Sequence, residues 1–171
     1  IRTRVKHFLK KNHFPDANIE LRDWIHQPDI RAYKTETLRK IVQNTTGPII
    51  FVGDDSEWDP EVFTRIGKDH PEKVLAIYIR RMRGRPLPEG AIGFHTAFEI
   101  AFHELMAGRM NIPQTSRVGK AILDQKNPDL VIPYFAVSPI GLPLPEYMPI
   151  QNLMNRIHDR LIDIHAMRKS K

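Results

Sequence analysis

There is no cysteine among the 171 residues, so neither a disulfide framework, a zinc-thiolate cluster nor a thiolate nucleophile can be built. That fits a cytoplasmic chain and many exported ones alike. Also lacking is any apolar run approaching the roughly 18 residues that span a bilayer, or a charged start followed by an apolar stretch of the signal-peptide kind. A membrane role is therefore peripheral, and the localisation expected is cytoplasmic or at a membrane surface. No internal repeat, Gly-rich phosphate loop or zinc-protease spacing occurs. What is present in excess is positive charge: the net charge is +6 and the pI about 9.7. This favours encounter with acidic surfaces, anionic membranes among them. The basic residues are not interleaved with a nucleic-acid recognition motif, which ranks nucleic acid below lipid as a partner. The length suits one domain with a real core. The chain opens on Ile1 rather than Met, which reads as processing, trimming or an incomplete front end.

The organising stretch is Pro48-Ile49-Ile50-Phe51-Val52-Gly53-Asp54-Asp55-Ser56-Glu57-Trp58-Asp59-Pro60. An apolar, β-branched run leading into glycine and acids predicts a buried strand of a parallel sheet. Ligands of open α/β sheets collect beyond the carboxyl ends of strands, and here that end carries Asp54, Asp55, Glu57 and Asp59. So many carboxylates repel one another unless a cation neutralises them, and hard oxygen donors suit Mg²⁺. Asp59 also fits a helix N-cap, with Pro60 at the first helical position. A metal site and a solvated acidic loop both remain open at this point.

In chain order, Val5, Phe8 and Leu9 lie at helical spacing among basic residues and predict a short basic amphipathic helix ending before Pro15. Asn18-Ile19-Glu20-Leu21-Arg22 reads as a brief strand. Tyr33 to Val42 reads as a helix with Leu38, Ile41 and Val42 on its apolar face, and Lys34 stands at its start. After the acidic loop, Val62, Phe63 and Ile66 give the buried stripe of a helix, and Val74 to Ile79 is a second continuous apolar strand. Strand, helix and strand at this spacing make a βαβ unit. Arg80, Arg81, Arg83 and Arg85 follow it, a set able to meet a phosphate headgroup.

The Gly- and Pro-rich stretch from Gly84 to Gly93 marks a boundary or a loop near the site. The organisation expected is therefore 1–83 as one α/β part and 84–171 as a mainly helical extension packed on it. In that extension Ala97 to Met106 is an apolar helix in which Glu99 and His103 share a face, best read as a histidine bonded to a carboxylate at the core's edge. Ser116 to Lys126 is a further helix, Leu130 to Val137 an edge strand because of Pro133, and Pro139 to Pro149 an extended loop. The last helix sets Ile150, Leu153, Ile157, Leu161, Ile164 and Met167 on one stripe, fit to pack on the domain or on a partner helix. Oligomeric state is not set by this pattern.

The segment IIFVGDDSEWDPEVFTRIGKDHPEKVLAIYIRRM, Ile49 to Met82, resembles the back half of the haloacid-dehalogenase-like domain of phosphatidate phosphatases of the actin-patch type. That family has a strand ending Val-Gly-Asp-Ser-Gly-Glu, then Asp-Pro-Glu opening a helix, then a strand ending Ile-Tyr-Ile-Arg. Phe8-Leu9 and Leu21-Arg22-Asp23 stand in matching places. The pattern departs at Asp55 and Ser56, where the family pair is Ser-Gly.

The resemblance implies a Rossmannoid parallel sheet, here partial and followed by extra helices. It implies a Mg²⁺-dependent phosphomonoester hydrolase acting on a phospholipid or another phosphomonoester. Lys34 would offset charge on the phosphoryl oxygens. Asp54 would hold Mg²⁺, with Asp55 and Asp59 supporting its shell, and Arg80 and Arg81 would meet the substrate. The family's aspartate nucleophile, its acid/base two residues later, and its Ser or Thr have no candidate here, so the nucleophile-bearing half is expected upstream. The alternative is a non-catalytic module that keeps the fold and binds anionic lipid.

Overall fold

The computed structural model describes residues 2–12, 14–23, 25–137 and 141–170. The chain divides into two compact units, Ile1–Gly47 and Pro48–Lys171.

In the first unit, α1 (Arg2–Lys11) buries none of its residues, and its last turn carries Lys10 and Lys11, a sign of charge that suits a helix C-terminus. α2 (Ile30–Asn44) starts three residues ahead of the predicted Tyr33 because Asp29 caps it, its Oδ1 accepting from the N–H groups of Arg31 at 2.9 Å and Ala32 at 3.0 Å. Of the predicted apolar face, Val42 is buried and Ile41 exposed. Asn18–Arg22 is not a strand. A strand needs a ladder partner for its N–H and C=O groups, and no strand among the described residues pairs with it.

In the second unit, β1 (Ile49–Asp54), α3 (Asp59–Asp69) and β2 (Val74–Arg80) form the predicted βαβ unit, with β1 and β2 parallel. A third strand, β3 (Ile92–Phe94), pairs parallel with β2, giving the order β1-β2-β3. Residues on both sides of the expected 83/84 boundary thus share one sheet. This mixed α/β arrangement is consistent with the partial Rossmann-like sheet that the resemblance implies. α3 lies against one face of the sheet, where Phe63 stacks on Phe51 with ring centroids 4.9 Å apart. Gly67 permits that closeness, since a Cβ there would sit 2.9 Å from Ile77 Cδ1.

α4 (Ala97–Met106) opens with a capping box. The Thr96 hydroxyl accepts from Phe98 N–H, and Glu99 Oε2 accepts from Thr96 N–H at 2.7 Å and from His95 N–H at 2.9 Å. Glu99 is spent on this cap rather than on His103, whose ring lies beside Tyr78. A buried clasp ties α4 to β2: Tyr78 Oη donates to Glu104 Oε1 at 2.5 Å, while Arg109 Nε donates to Glu104 Oε2 at 2.6 Å. α5 (Ile112–Asp124) and α7 (Gln151–Lys169) cross at Gly119, where a Cβ would stand 2.8 Å from Leu153 Cδ2.

The predicted strand over Leu130–Val137 is instead a one-turn helix, α6 (Pro128–Val131), followed by turns. Asn127 caps it by accepting from Asp129 N–H at 3.0 Å, and Pro128 fixes its first φ. Of the predicted loop from Pro139 to Pro149, Pro139 and Ile140 lie outside the described residues. Leu142, Leu144 and Tyr147 of it pack on the main apolar cluster. That cluster joins Phe98 and Phe102 of α4, Ile122 of α5 and Ile157, Leu161 and Ile164 of α7. Met154 rather than Met167 completes the α7 stripe. Among the described residues no helix is long and apolar enough to cross a membrane.

Candidate functional site

All three strands run the same way, so their carboxyl ends meet at one edge. Asp54, Arg80 and Phe94 are neighbours in register there. Asp54 closes β1 partly exposed, its Oδ1 accepting from the N–H of Ser56 at 2.8 Å and from the Ser56 hydroxyl. Asp59 is the first residue of α3 rather than its cap, a place taken by Trp58. Its Oδ2 reaches back to the N–H of Asp54 at 3.4 Å. Gly53 makes this approach feasible, because a Cβ there would fall 2.5 Å from Asp59 Oδ2 and 2.7 Å from Phe63 Cε2. A missing side chain at Gly53 thus lets the Asp59 carboxylate reach the backbone of the strand end that Asp54 closes.

Asp55 is placed otherwise. Its N–H continues the ladder by donating to Arg80 O, and alternation along an extended chain sends its side chain to the side opposite Asp54. It is 0% exposed. Oδ1 accepts from the N–H groups of Met82 and Arg83, both at 2.6 Å, and Oδ2 from that of Arg85 at 3.2 Å. Burial by itself raises this carboxyl, but the amides of Arg83 and Met82 and the Arg81 guanidinium outweigh it and hold it below the ordinary value. Asp55 is therefore an ionised anchor for the loop after β2. It leaves the expected metal set, because its lone pairs already serve amide donors.

The two arginines proposed from sequence are engaged as well. A terminal nitrogen of Arg80 donates to Val131 O at 3.3 Å, and its buried Nε has no hydrogen-bond partner. Burial lowers its pKa against the pull of Asp54 and Glu99. Arg81 lies 3.9 Å from Asp55 Oδ2. Arg85 donates through Nε to Asp55 O at 2.8 Å, also bonds Glu57 O, and lies 3.6 Å from Glu61 Oε1. Lys34 belongs to the first unit, in the second turn of α2 rather than ahead of the helix. There it lines a cleft of about 530 Å³ with Arg22, Ile30 and Tyr33.

Beside the edge stand His95, to which the sequence assigns no role, and Glu99, which the sequence pairs with His103. Burial lowers the His95 pKa, with Arg81 and Arg80 adding to the effect against Val137's backbone and Asp55. Burial raises the Glu99 carboxyl against the pull of the Thr96 and His95 amides. The signal for both was the capping box Thr96-x-x-Glu99 directly after a three-residue strand too short to stand out. Among the described residues, no three acidic or histidine side chains converge as a ready cation site. Asp54 and Asp59 still fit an ion that keeps several of its waters and takes one or two carboxylates.

Residues 2–81 match the family model described as phosphatidate phosphatase APP1, catalytic domain. This is the family that the Ile49–Met82 segment resembles, and the match takes in Lys34, Asp54, Asp59, Arg80 and Arg81. It covers a little under half of the chain and ends at the carboxyl end of β2. No curated protein and no solved structure matches the chain. The apolar cluster of α4 to α7 lies wholly beyond the matched residues.

Proposed function

We propose that this chain carries the metal-binding half of a Mg²⁺-dependent phosphomonoester hydrolase of the phosphatidate phosphatase kind, acting on a phospholipid phosphomonoester. The nucleophile-bearing half lies upstream in this reading. The observation that carries it is the end of β1, where Asp54 stands in register with Arg80 and its N–H is met by the Asp59 carboxylate, inside the stretch that matches the family.

Asp54 and Asp59 would hold the cation, which when bound supplies charge neutralisation at the phosphoryl oxygens. Asp54 is kept in place by Ser56, and Asp59 by the start of α3. Asp59 also sits at the positive end of that helix. Arg80 adds a fixed, partly desolvated positive charge beside Asp54. It is aligned by Val131 O and serves better to set the field of the edge than to reach out for substrate. For Lys34, in the first unit, the resemblance implies the offsetting of negative charge on a phosphoryl group.

The reading is tested on the protein encoded by the complete reading frame. Phosphatidate hydrolysis should vanish in EDTA, return with Mg²⁺, and fall at least about 100-fold in Asp54→Asn, since a direct ligand should cost no less than a residue supporting one. Full activity of Asp54→Asn would reject the assignment.

The commitment of Asp55 to a loop rather than to a cation favours one second reading, a non-catalytic module that binds anionic lipid. It calls for vesicle binding that is indifferent to EDTA, sensitive to salt and unaccompanied by turnover.

A further inference from the structure

Four arginines follow the end of β2, and the structure separates them. Arg80 is tied to Val131 O, Arg81 faces Asp55, and Arg85 is held by Asp55 O, Glu57 O and Glu61. Arg83 differs in both of its parts. Its side chain is exposed and, among the described residues, makes no hydrogen bond or ion pair, while its backbone N–H lies 2.6 Å from the fully buried carboxylate of Asp55.

An exposed arginine alone means little. Here the backbone beneath it is fixed. Successive N–H groups that converge on an anion form a nest, which requires a left-handed residue within the turn. Gly84, at φ +70°, provides it. The nest of Met82, Arg83 and Arg85 is filled by the chain's own carboxylate, one residue along from Asp54. Asp55 also stands where the family pattern has serine, and a serine hydroxyl cannot serve three amides with two charged oxygens.

We propose that Arg83 is the side chain that grips the phosphomonoester dianion at the carboxyl edge of the sheet, with Asp55 as its positioning residue. This rests on the reading of that edge as a phosphomonoester site. The guanidinium fork suits paired phosphoryl oxygens. Holding its Cα in place beforehand removes part of the ordering cost that binding otherwise carries. Arg83 lies two residues beyond the stretch that matches the family.

The test is binding by the full chain to phosphatidylcholine vesicles carrying either phosphatidate or phosphatidylserine at matched surface charge, with inorganic phosphate as a competitor in a second arm. Arg83→Ala should weaken phosphatidate binding about 10-fold and raise the phosphate needed for displacement. Arg83→Lys should recover only part. Arg117→Ala, an equal loss of charge at an exposed position of α5, should change little. A loss in the phosphate arm alone assigns the site to the free anion, and a loss in both assigns it to the headgroup.

If the wild-type chain prefers phosphatidate but Arg83→Ala behaves as Arg117→Ala does, the assignment of Arg83 is wrong while the phosphomonoester reading stands. No preference in the wild-type chain rejects that reading and Arg83 with it. For Asp55, the cycle Asp55→Asn, Arg83→Ala and the double variant should be non-additive, the double losing no more than Arg83→Ala alone. Additive losses would make Asp55 merely structural. Should Asp55→Asn fail to fold, amide exchange of the wild-type chain decides: the Arg83 N–H must be protected despite its exposed side chain, and exchange at open-loop rates rejects the positioning role.

Discussion

In the helical part of the second unit, the fully buried groups include Phe98, Ile157, Leu161 and Ile164, gathered in one apolar cluster. At the carboxyl edge of the sheet they include the carboxylates of Asp55 and Glu99, with the half-buried Arg80 beside them. The first region gains stability from apolar area removed from water, at about 25 cal/mol per Å². The second must offset the cost of desolvating charge with backbone amides: three for Asp55, where they outweigh burial with the help of Arg81, and two for Glu99, where burial still raises the carboxyl. Such a region adds little to stability, since removing charge from water offsets most of what pairing returns. It fixes positions. The family match takes in Asp54, Asp55, Asp59 and Arg80 of that edge, stops short of Arg83 and Glu99, and includes none of the apolar cluster.

The largest effect should come from the apolar side. Leu161→Ala, at a fully buried position of α7, should cost about 3 kcal/mol and lower the melting temperature by roughly 10 °C. Vesicle binding measured well below that temperature should stay at the wild-type level. A change in headgroup preference at low temperature would show that the two regions are not separable.

How much of this division was legible in the sequence varies with the kind of signal. The βαβ unit was legible because Ile49–Val52 and Val74–Ile79 are continuous apolar runs and Pro60 marks the helix between them. β3 was not, since Ile92-Gly93-Phe94 carries no period and gains its identity only by pairing with β2. Leu130–Val137 misled because a short apolar run fits a strand or a buried turn equally well. The Asn127-Pro128 cap decided it. Asp54 and Asp55 look alike in sequence, yet extended-chain alternation sends them to opposite sides, one to the edge and one into a nest built from residues 27 to 30 positions later. No local pattern announces a partner that distant.

A smaller effect should come from the clasp that joins the regions. Glu104 accepts from Arg109 and Tyr78 at 6% exposure. The bond from Arg109 holds its carboxyl below the ordinary 4.5, with burial opposing and Tyr78 and His103 assisting. The folded pKa is depressed, so this contribution is fully present above about pH 4.5 and is lost as pH falls through the folded value. Glu104→Gln should cost about 2 kcal/mol at neutral pH and make the acid-side fall in denaturant midpoint shallower than in the wild-type chain. Asp55, depressed in the same sense, should preserve part of the slope. An unchanged slope would mean that Glu104 is not ionised in the way its partners require.

The smallest effect belongs to the nest itself, and it separates position from stability. Gly84 at φ +70° lets the amides on either side of it turn toward Asp55. Gly84→Ala should cost only about 1 kcal/mol from left-handed strain, with a Cβ 3.3 Å from Val137 Cγ2 adding a mild contact. Its consequence for binding should exceed its consequence for folding, because the strain is relieved by rotating the amides that hold Arg83 in place. The comparison to make is with Leu161→Ala. That variant should lose the larger stability and keep the phosphatidate preference, and Gly84→Ala should lose little stability and shed much of the preference. If both variants track stability alone, the edge is held by the fold as a whole rather than by the carboxylate of Asp55.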